Sequence, residues 1–385
     1  MKSPMKRLFC LLLVFLLPCV AIAAGGDDDD EDISFFDIIG TNQTAVRLPQ
    51  PTPDKDDPST WYEKDGSLLL TVSCTGDVTI GRNKQYSGAS IYETELKKQK
   101  GDVTFPFRNV RDIFYADDLT LVNFEGVLTT DTSTTPSSKT NNDYLFYAPP
   151  EYVQALTAGN VEAVSFENNH CRDFGEAGYS STTSTLEEAG VVWSGNGHLG
   201  VYTVKGVTIG MLSYQTFNGA YTTLREQVPV DIAAAKETCQ IVIVSYHWGN
   251  ELDYAPNDNQ VSLGHLTIDA GADLVIGHHS HRINPIEEYN GHFICYSLGN
   301  FSFAGNSKPS DMSTFIFQTR FRLRDGVIAP EGFIIIPCRI SSHSDYNDFI
   351  PTPYTNATSI DGVLTVLKSN STKLGRAVTD YPLAW

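Results

Sequence analysis

Residues 241–254 read IVIVSYHWGNELDY, residues 272–287 read ADLVIGHHSHRINPIE, and residues 295–303 read CYSLGNFSF. Two apolar, β-branched runs, Ile241–Ser245 and Leu274–Ile276, each lead within two residues into histidine. An unbroken apolar run is the mark of a parallel strand buried on both faces. Ligands of open α/β sheets gather beyond the carboxyl ends of such strands. His247, His278, His279 and His281 make up four of the nine histidines, all placed at that edge. A lone histidine after a strand is usually a hydrogen-bonded structural residue. His279-Ser280-His281 on a turn, next to a third histidine, instead reads as imidazoles facing one point. Imidazole suits zinc, copper, iron and nickel, and added carboxylates admit manganese.

Outward from this stretch, other strand-to-turn junctions repeat the pattern. Leu68–Cys74 runs into Asp77, Leu119–Asn123 into Glu125, and Val161–Ser165 into Asn169-His170 with Asp173 beyond. Oxygen and nitrogen ligands thus recur at one structural place, the turn after a hydrophobic strand. Helices are predicted over 149–158, 178–189, 228–239 and 260–270. Strands are predicted over 201–204, 207–214, 314–323 and 333–340, and the last 40 or so residues show little pattern. Helices alternating with strands and followed by hairpins predict an α/β sandwich rather than a single doubly wound sheet. Gly195-Asn196-Gly197-His198-Leu199-Gly200 has the spacing of a dinucleotide-binding loop, but a β-rich run follows it where a helix is required.

The chain has 385 residues and a formal charge of −19, which argues against nucleic acid as a partner. An anionic substrate remains compatible if metal ions supply local positive charge. Residues 1–23 carry Lys2, Lys6 and Arg7 ahead of an apolar run and close on Ala21-Ile22-Ala23, the pattern of a secretory leader. Retention of that run as a membrane anchor is the alternative. Residues 24–65 are acidic and proline-rich and read as a linker, with a folded domain over 66–345 and a tail over 346–385. Outside the leader, Cys74, Cys171, Cys239, Cys295 and Cys338 are widely spaced without a CxxC pair, and their apolar contexts predict buried free thiols. Cys171, directly after His170, is the one that invites a test as a nucleophile.

GDVTIGR at 76–82, NFE at 123–125, NNHCRD at 168–173, HWGNE at 247–251, GHHSH at 277–281 and SLGNF at 297–301 together resemble the bacterial capsule synthesis proteins of poly-γ-glutamate formation. That family, called CapA, is itself similar to calcineurin-like metallophosphoesterases. The resemblance implies a four-layer α/β/β/α sandwich of the metallophosphoesterase kind, with a β-rich C-terminal extension. It implies one or two divalent ions (manganese, zinc or iron) held by Asp77, Glu125, Asn169, His247, His279 and His281. His170 would serve as acid or charge stabiliser, oriented by Asp173. Arg82 would meet an anionic group of the substrate, with His278, Glu251 and Asn300 also facing it. Trp248, Tyr254 and Phe301 would wall the pocket, unless they are plain core.

Two departures from the phosphoesterase pattern stand out. Thr79 occupies the place of the histidine in the opening D-x-H, and Asn123-Phe124-Glu125 replaces GDxxD. The expected function is that of an exported hydrolase or transferase that acts on poly-γ-glutamate or a related cell-surface polymer, or handles it. The alternatives are a secreted phosphoesterase and a non-catalytic assembly factor. Partners would include the anionic polymer or a phosphoester and membrane capsule-synthesis proteins. The protein would be secreted or sit on the outer face of the bacterial cytoplasmic membrane.

Overall fold

Ile241–His247 and Leu274–His278 are buried along their whole length, as strands covered on both faces must be. They lie parallel, with Val244 opposite Val275 and His247 opposite His278. The computed structural model describes residue 55 and residues 57–385, apart from 85–87, 89, 135, 137–138, 140–143 and 375–376. The predicted leader, and the predicted linker up to residue 54, lie outside the described residues. From Asp57 onward the chain is built onto the fold. Asp57 caps a short 3-10 turn over Pro58–Thr60, and the Trp61 ring packs against the core between the sheets.

Two sheets face each other. The first runs, in spatial order, Thr352–Pro353, Val327–Arg339, Ser313–Arg324, Leu68–Thr79, Leu119–Phe124, Ala163–Ser165 and Val192–Ser194, with Asn300–Phe303 paired alongside Leu68–Thr79. The second runs Ile286–Tyr289, His292–Cys295, Leu274–His278, Ile241–His247, Val207–Gln215 and Gly200–Val204. The centre of each sheet is parallel, and hairpins add antiparallel strands at the margins. The β-rich C-terminal segment is therefore part of the first sheet.

Alternate strand residues divide the core into layers. Leu70, Val72 and Leu121 of the first sheet meet Ile209, Ile243 and Ile276 of the second. On its other face the first sheet buries Val78, Val122 and Val164 against residues of the helices Arg111–Tyr115, Gln154–Ala158 and Gly175–Glu188. The outer face of the second sheet buries Val242, Val244 and Val275 against Tyr221–Lys236 and Asp258–Asp269. The layer order is α/β/β/α, as expected.

The helices Ile91–Lys98 and Arg111–Tyr115 are not expected from the sequence, and three further places differ from its reading. The helix predicted to begin at 228 starts at Tyr221 and continues through Pro229. Leu224, Val228, Ile232 and Ala235 keep a buried stripe across the proline, and that burial outweighs the break of roughly 3 kcal/mol a helical proline introduces. The helix predicted over 149–158 is split into a 3-10 turn, Pro150–Val153, and a short α-helix, Gln154–Ala158. The weakly patterned tail contains an 18-residue helix, Ala357–Leu374, that buries Ile360, Val363 and Leu367. Beyond it the chain touches both sheets, with Val378 N donating to Ile286 O and Ile335 N to Pro382 O. Among the described residues no helix is long and apolar enough to cross a membrane.

Candidate metal centre and substrate cavity

Asp77 enters the site through a break in strand register. Leu68–Thr79 and Leu119–Phe124 pair regularly up to Cys74, slip, and resume with Asp77 opposite Asn123. On its other side Asp77 pairs with Asn300. The Asp77 carboxylate, fully buried, meets the second sheet there. Its Oδ1 lies 3.3 Å from His278 Nδ1 and its Oδ2 lies 3.0 Å from His281 Nδ1. Asn123 Nδ2 donates to Oδ1 at 2.9 Å. Glu125 follows one turn later, with Oε1 3.8 Å from both His170 Nε2 and His247 Nε2. Thr79, standing where a phosphoesterase has histidine, donates from Oγ1 to the Glu125 carbonyl at 2.7 Å. Thr79 thus pins the backbone of Glu125.

From the second sheet, His247 and His279 face each other, with Nε2 and Nδ1 3.1 Å apart. The amide of Asn123 also reaches His247 Nδ1, at 3.3 Å. His279 and His281 both take left-handed backbone angles, φ 90° and 53°. Non-glycine residues rarely hold that conformation, and it concentrates at functional sites. Here it turns two imidazoles two residues apart toward the same space.

Charge follows from this crowding. Against the push of burial, His278 and His281 hold the Asp77 carboxyl well below its ordinary range. Burial and the neighbouring Asp77 drive Glu125 far upward. Burial lowers His279 to about 4, with His281 adding to the effect, and burial holds His247 well below the usual imidazole range. His281 goes the other way: Glu125 and Asp77 outweigh burial and raise it to about 9.

The donor set fits a divalent cation. Asp77, Glu125 and His281 each offer an atom within 4.8 Å of the others. Both carboxylate oxygens of Glu125, both ring nitrogens of His278, His281 Nδ1 and Asn169 Oδ1 are buried without a hydrogen-bond partner. Buried polar atoms are normally satisfied. His281 Nδ1 and Asp77 Oδ2 are close enough to bond yet misaligned for it, as two ligands aimed at a common third atom would be.

His170 stands beside this set on separate supports. Its Nδ1 lies 2.8 Å from Asp173 Oδ2, and its backbone N donates to Asn168 Oδ1. Asp173 also accepts from Phe146 N at 2.7 Å and from Lys139 Nζ. Burial lowers the His170 pKa, with Asp173 opposing. A cavity of about 610 Å³ opens over His170 and His281.

Of the residues expected from the sequence, Asp77, Glu125, His170, Asp173, His247, His278, His279 and His281 converge here. Glu251 and Asn300 line the cavity, and Asn300 Oδ1 has no hydrogen-bond partner. Arg82 does not line it. Its Nη1 pairs with Glu93 at 3.1 Å and its Nη2 donates to Gly88 O; the guanidinium in the cavity wall is that of Arg282. Trp248 and Phe301 are core rather than pocket wall. Trp248 stacks between Tyr246 and Tyr296, and Phe301 packs on Phe107 and Phe114. Tyr254 lies beside Arg282 and donates to Asp311. Cys171 is buried, and burial pushes its thiol up to about 12, which disfavours the thiolate form; all five described cysteines are free and buried.

Sequence reasoning missed Asn123, Asn168, Lys139 and Phe217. Asn168 Nδ2 donates to Phe124 O and to Asn123 Oδ1, so two amides couple Asp77 to the His170 loop. Phe217 presents its ring to His279 at 4.7 Å. Asn123 and Asn168 fall within the motifs already singled out, which was the available signal. Lys139 and Phe217 carried none.

Residues 71–304, more than half the chain, match the family described as bacterial capsule synthesis protein PGA_cap. The PGA biosynthesis protein CapA of Bacillus subtilis (strain 168) is 32% identical over 254 residues, covering 61% of this chain and 63% of the relative. The chain therefore spans just under two thirds of that relative's length. The capsule biosynthesis protein CapA of Bacillus anthracis is 26% identical over 327 residues, covering 79% of this chain and 74% of the relative. A calcineurin-like phosphoesterase from Bacillus subtilis superposes with a TM-score of 0.38 at 14% identity, over 79% of this chain and 99% of that one. The matched span contains every side chain of the buried cluster, and on that match the chain belongs to the bacterial capsule synthesis protein family.

Proposed function

We propose that this protein is an exported, metal-dependent capsule-synthesis protein that binds poly-γ-glutamate or a related anionic cell-surface polymer and acts on its amide or ester bonds. The observation that carries this reading is a buried set of unsatisfied ligand atoms lying beside a histidine that is separately supported. A purely structural metal site has no use for such a histidine. The names of the Bacillus relatives support a polymer of this kind.

Asp77, Glu125, Asn169, His247, His279 and His281 would hold the metal. A bound divalent cation supplies Lewis acidity and lowers the pKa of a water molecule. The remaining work falls to the chain's own residues. Asp173 accepts from His170 Nδ1–H and so leaves Nε2 facing the cavity, where it can give or take a proton at the substrate. The peptide N–H of Phe146 and the Lys139 ammonium hold Asp173 in turn. Export is carried by the leader pattern at 1–23.

Elemental analysis of the wild type and of a His279→Ala/His281→Ala variant tests the site. The expected result is one or two equivalents of manganese, zinc or iron, lost in the variant. Loaded protein is then offered γ-glutamyl oligomers and a phosphoester panel. Cleavage or transfer of γ-glutamyl bonds supports the proposal. Phosphate release alone would turn it into a phosphoesterase, and metal without any turnover into an assembly factor. No metal after reconstitution would overturn the mechanism.

A further inference from the structure

Two opposite charges in the cavity wall sit beside the buried cluster, and Glu251 is near enough to help raise His281. Besides His170 and His281, the charged side chains lining the cavity are Glu251 and Arg282. Both are held in place through their backbone. Leu252 N donates to Ser280 O at 2.7 Å, and Asn284 Nδ2 donates to Asp253 O at 2.9 Å, so the loop after Trp248 is stitched to the histidine turn. Leu252 takes φ 68° to make that contact. The Arg282 guanidinium is oriented by the His281 carbonyl at 2.8 Å, Ser310 Oγ at 3.0 Å and the Tyr254 ring at 5.7 Å. None of these is a carboxylate. Among the described residues neither Arg282 nor Glu251 has an ion-pair partner, although acidic residues far outnumber basic ones. A positioned guanidinium and an exposed carboxylate, neither in an ion pair among the described residues, line one cavity, and a ligand that carries both an ammonium and a carboxylate matches them.

We infer that the cavity recognises the amino-terminal end of a γ-glutamyl chain, with Glu251 taking the α-ammonium and Arg282 the α-carboxylate. This rests on the polymer reading above and narrows it from the chain to one end of it. Every residue of a γ-linked chain keeps its α-carboxylate, but only the first keeps a charged α-amine, since the others spend theirs in the amide bond. An internal residue would satisfy Arg282 and leave Glu251 facing a neutral amide. Tyr144 and Leu252, 53% and 59% exposed, flank the opening and offer apolar surface for the residues that follow. Charge-assisted, planar recognition of a carboxylate is a task for which arginine is suited and lysine is not.

The test is calorimetric titration of the metal-loaded protein. The probes are a short oligo-γ-glutamate with a free amino end, the same oligomer N-acetylated, and free glutamate. The expected result is that acetylation weakens binding about 10-fold or more, the scale of one hydrogen bond to a charged group. Glu251→Gln is expected to erase that difference. Arg282→Gln is expected to weaken both oligomers by about 10-fold, with Arg282→Lys restoring only part of the loss. Circular dichroism and metal content, both unchanged in the variants, would establish that they fold. Equal binding of free and acetylated oligomers by the wild type overturns the inference while leaving the polymer reading standing. Free glutamate binding as tightly as the oligomer also overturns it, by assigning the wall to a single amino acid. Failure of any oligomer to bind overturns the polymer reading and this inference with it.

Discussion

At the scale of single residues, the pairing of His170 with Asp173 separates a positioning role from a ligand role. Asp173→Asn is expected to leave metal content unchanged while turnover falls by about 10²–10⁴, the range a positioned proton-transfer group contributes. Elemental analysis beside a turnover assay checks both halves. Asp117 gives a second expectation, remote from the site. Burial, with Glu162 close by, holds its carboxyl well above the ordinary range. A carboxyl whose folded pKa is raised takes up a proton on folding, so its presence costs stability increasingly as pH rises above about 3.9. Asp117→Asn removes that dependence. The melting temperature of the variant, compared with wild type across a pH series, is expected to gain progressively as pH rises above about 4. The histidines and carboxylates of the site were legible because each follows an apolar strand directly. The residues that support them were not, because Asn123, Asn168 and Lys139 act on groups far away in the chain. Nothing near Lys139 hints that it reaches Asp173.

Among the elements, the tightest fits lie where strand ends cross the turn 296–299. A Cβ on Gly76 would stand 2.0 Å from Gly299 O, and one on Gly277 would stand 2.1 Å from Tyr296 O and 2.4 Å from Trp248 Nε1. The obstacles are backbone and a fully buried indole, which cannot swing aside. Gly76→Ala and Gly277→Ala are each expected to destabilise by about 1–3 kcal/mol or more, read from the denaturant midpoint. Both should also weaken metal binding, since they displace Asp77 or His278 next door. The strands were legible for the same reason that they are stable: unbroken apolar runs have few places to go except a covered sheet. Helix ends were harder. Pro229 hid a helix whose buried stripe runs across it, and in Ala357–Leu374 the residues Thr358, Ser359, Thr365, Ser369, Ser371 and Thr372 masked a sound Ile360, Val363, Leu367 spacing. Low intrinsic propensity was overridden by burial in both cases.

For the whole molecule, the four-layer order was reached through family resemblance, since strand spacing alone does not say which sheet faces which. The C-terminal helix contributes to two core layers at once, with Ile360 in the outer layer of the first sheet and Val363 and Leu367 between the sheets. Leu367→Ala is accordingly expected to cost about 2–5 kcal/mol, measured by chemical denaturation, although it lies outside the family-matched span. The division of the site between the sheets has a consequence of its own. Asp77 lies in a strand of one sheet and Glu125 follows another, while His247 ends a strand of the second sheet and His279 and His281 follow one. A cation binding there would latch two halves that already meet through the apolar layer between them, through polar contacts such as Asn123 with His247 and Ser194 with Ser213, and through the C-terminal strap. Only the closed sandwich presents the full grip, so occupancy and folding become one equilibrium. At a free metal concentration a hundred times the dissociation constant, that latch adds about 2.7 kcal/mol. Scarcity of metal would then be felt first as a loosening of the body, and as a shortened lifetime against proteases, with lost chemistry only one of its symptoms.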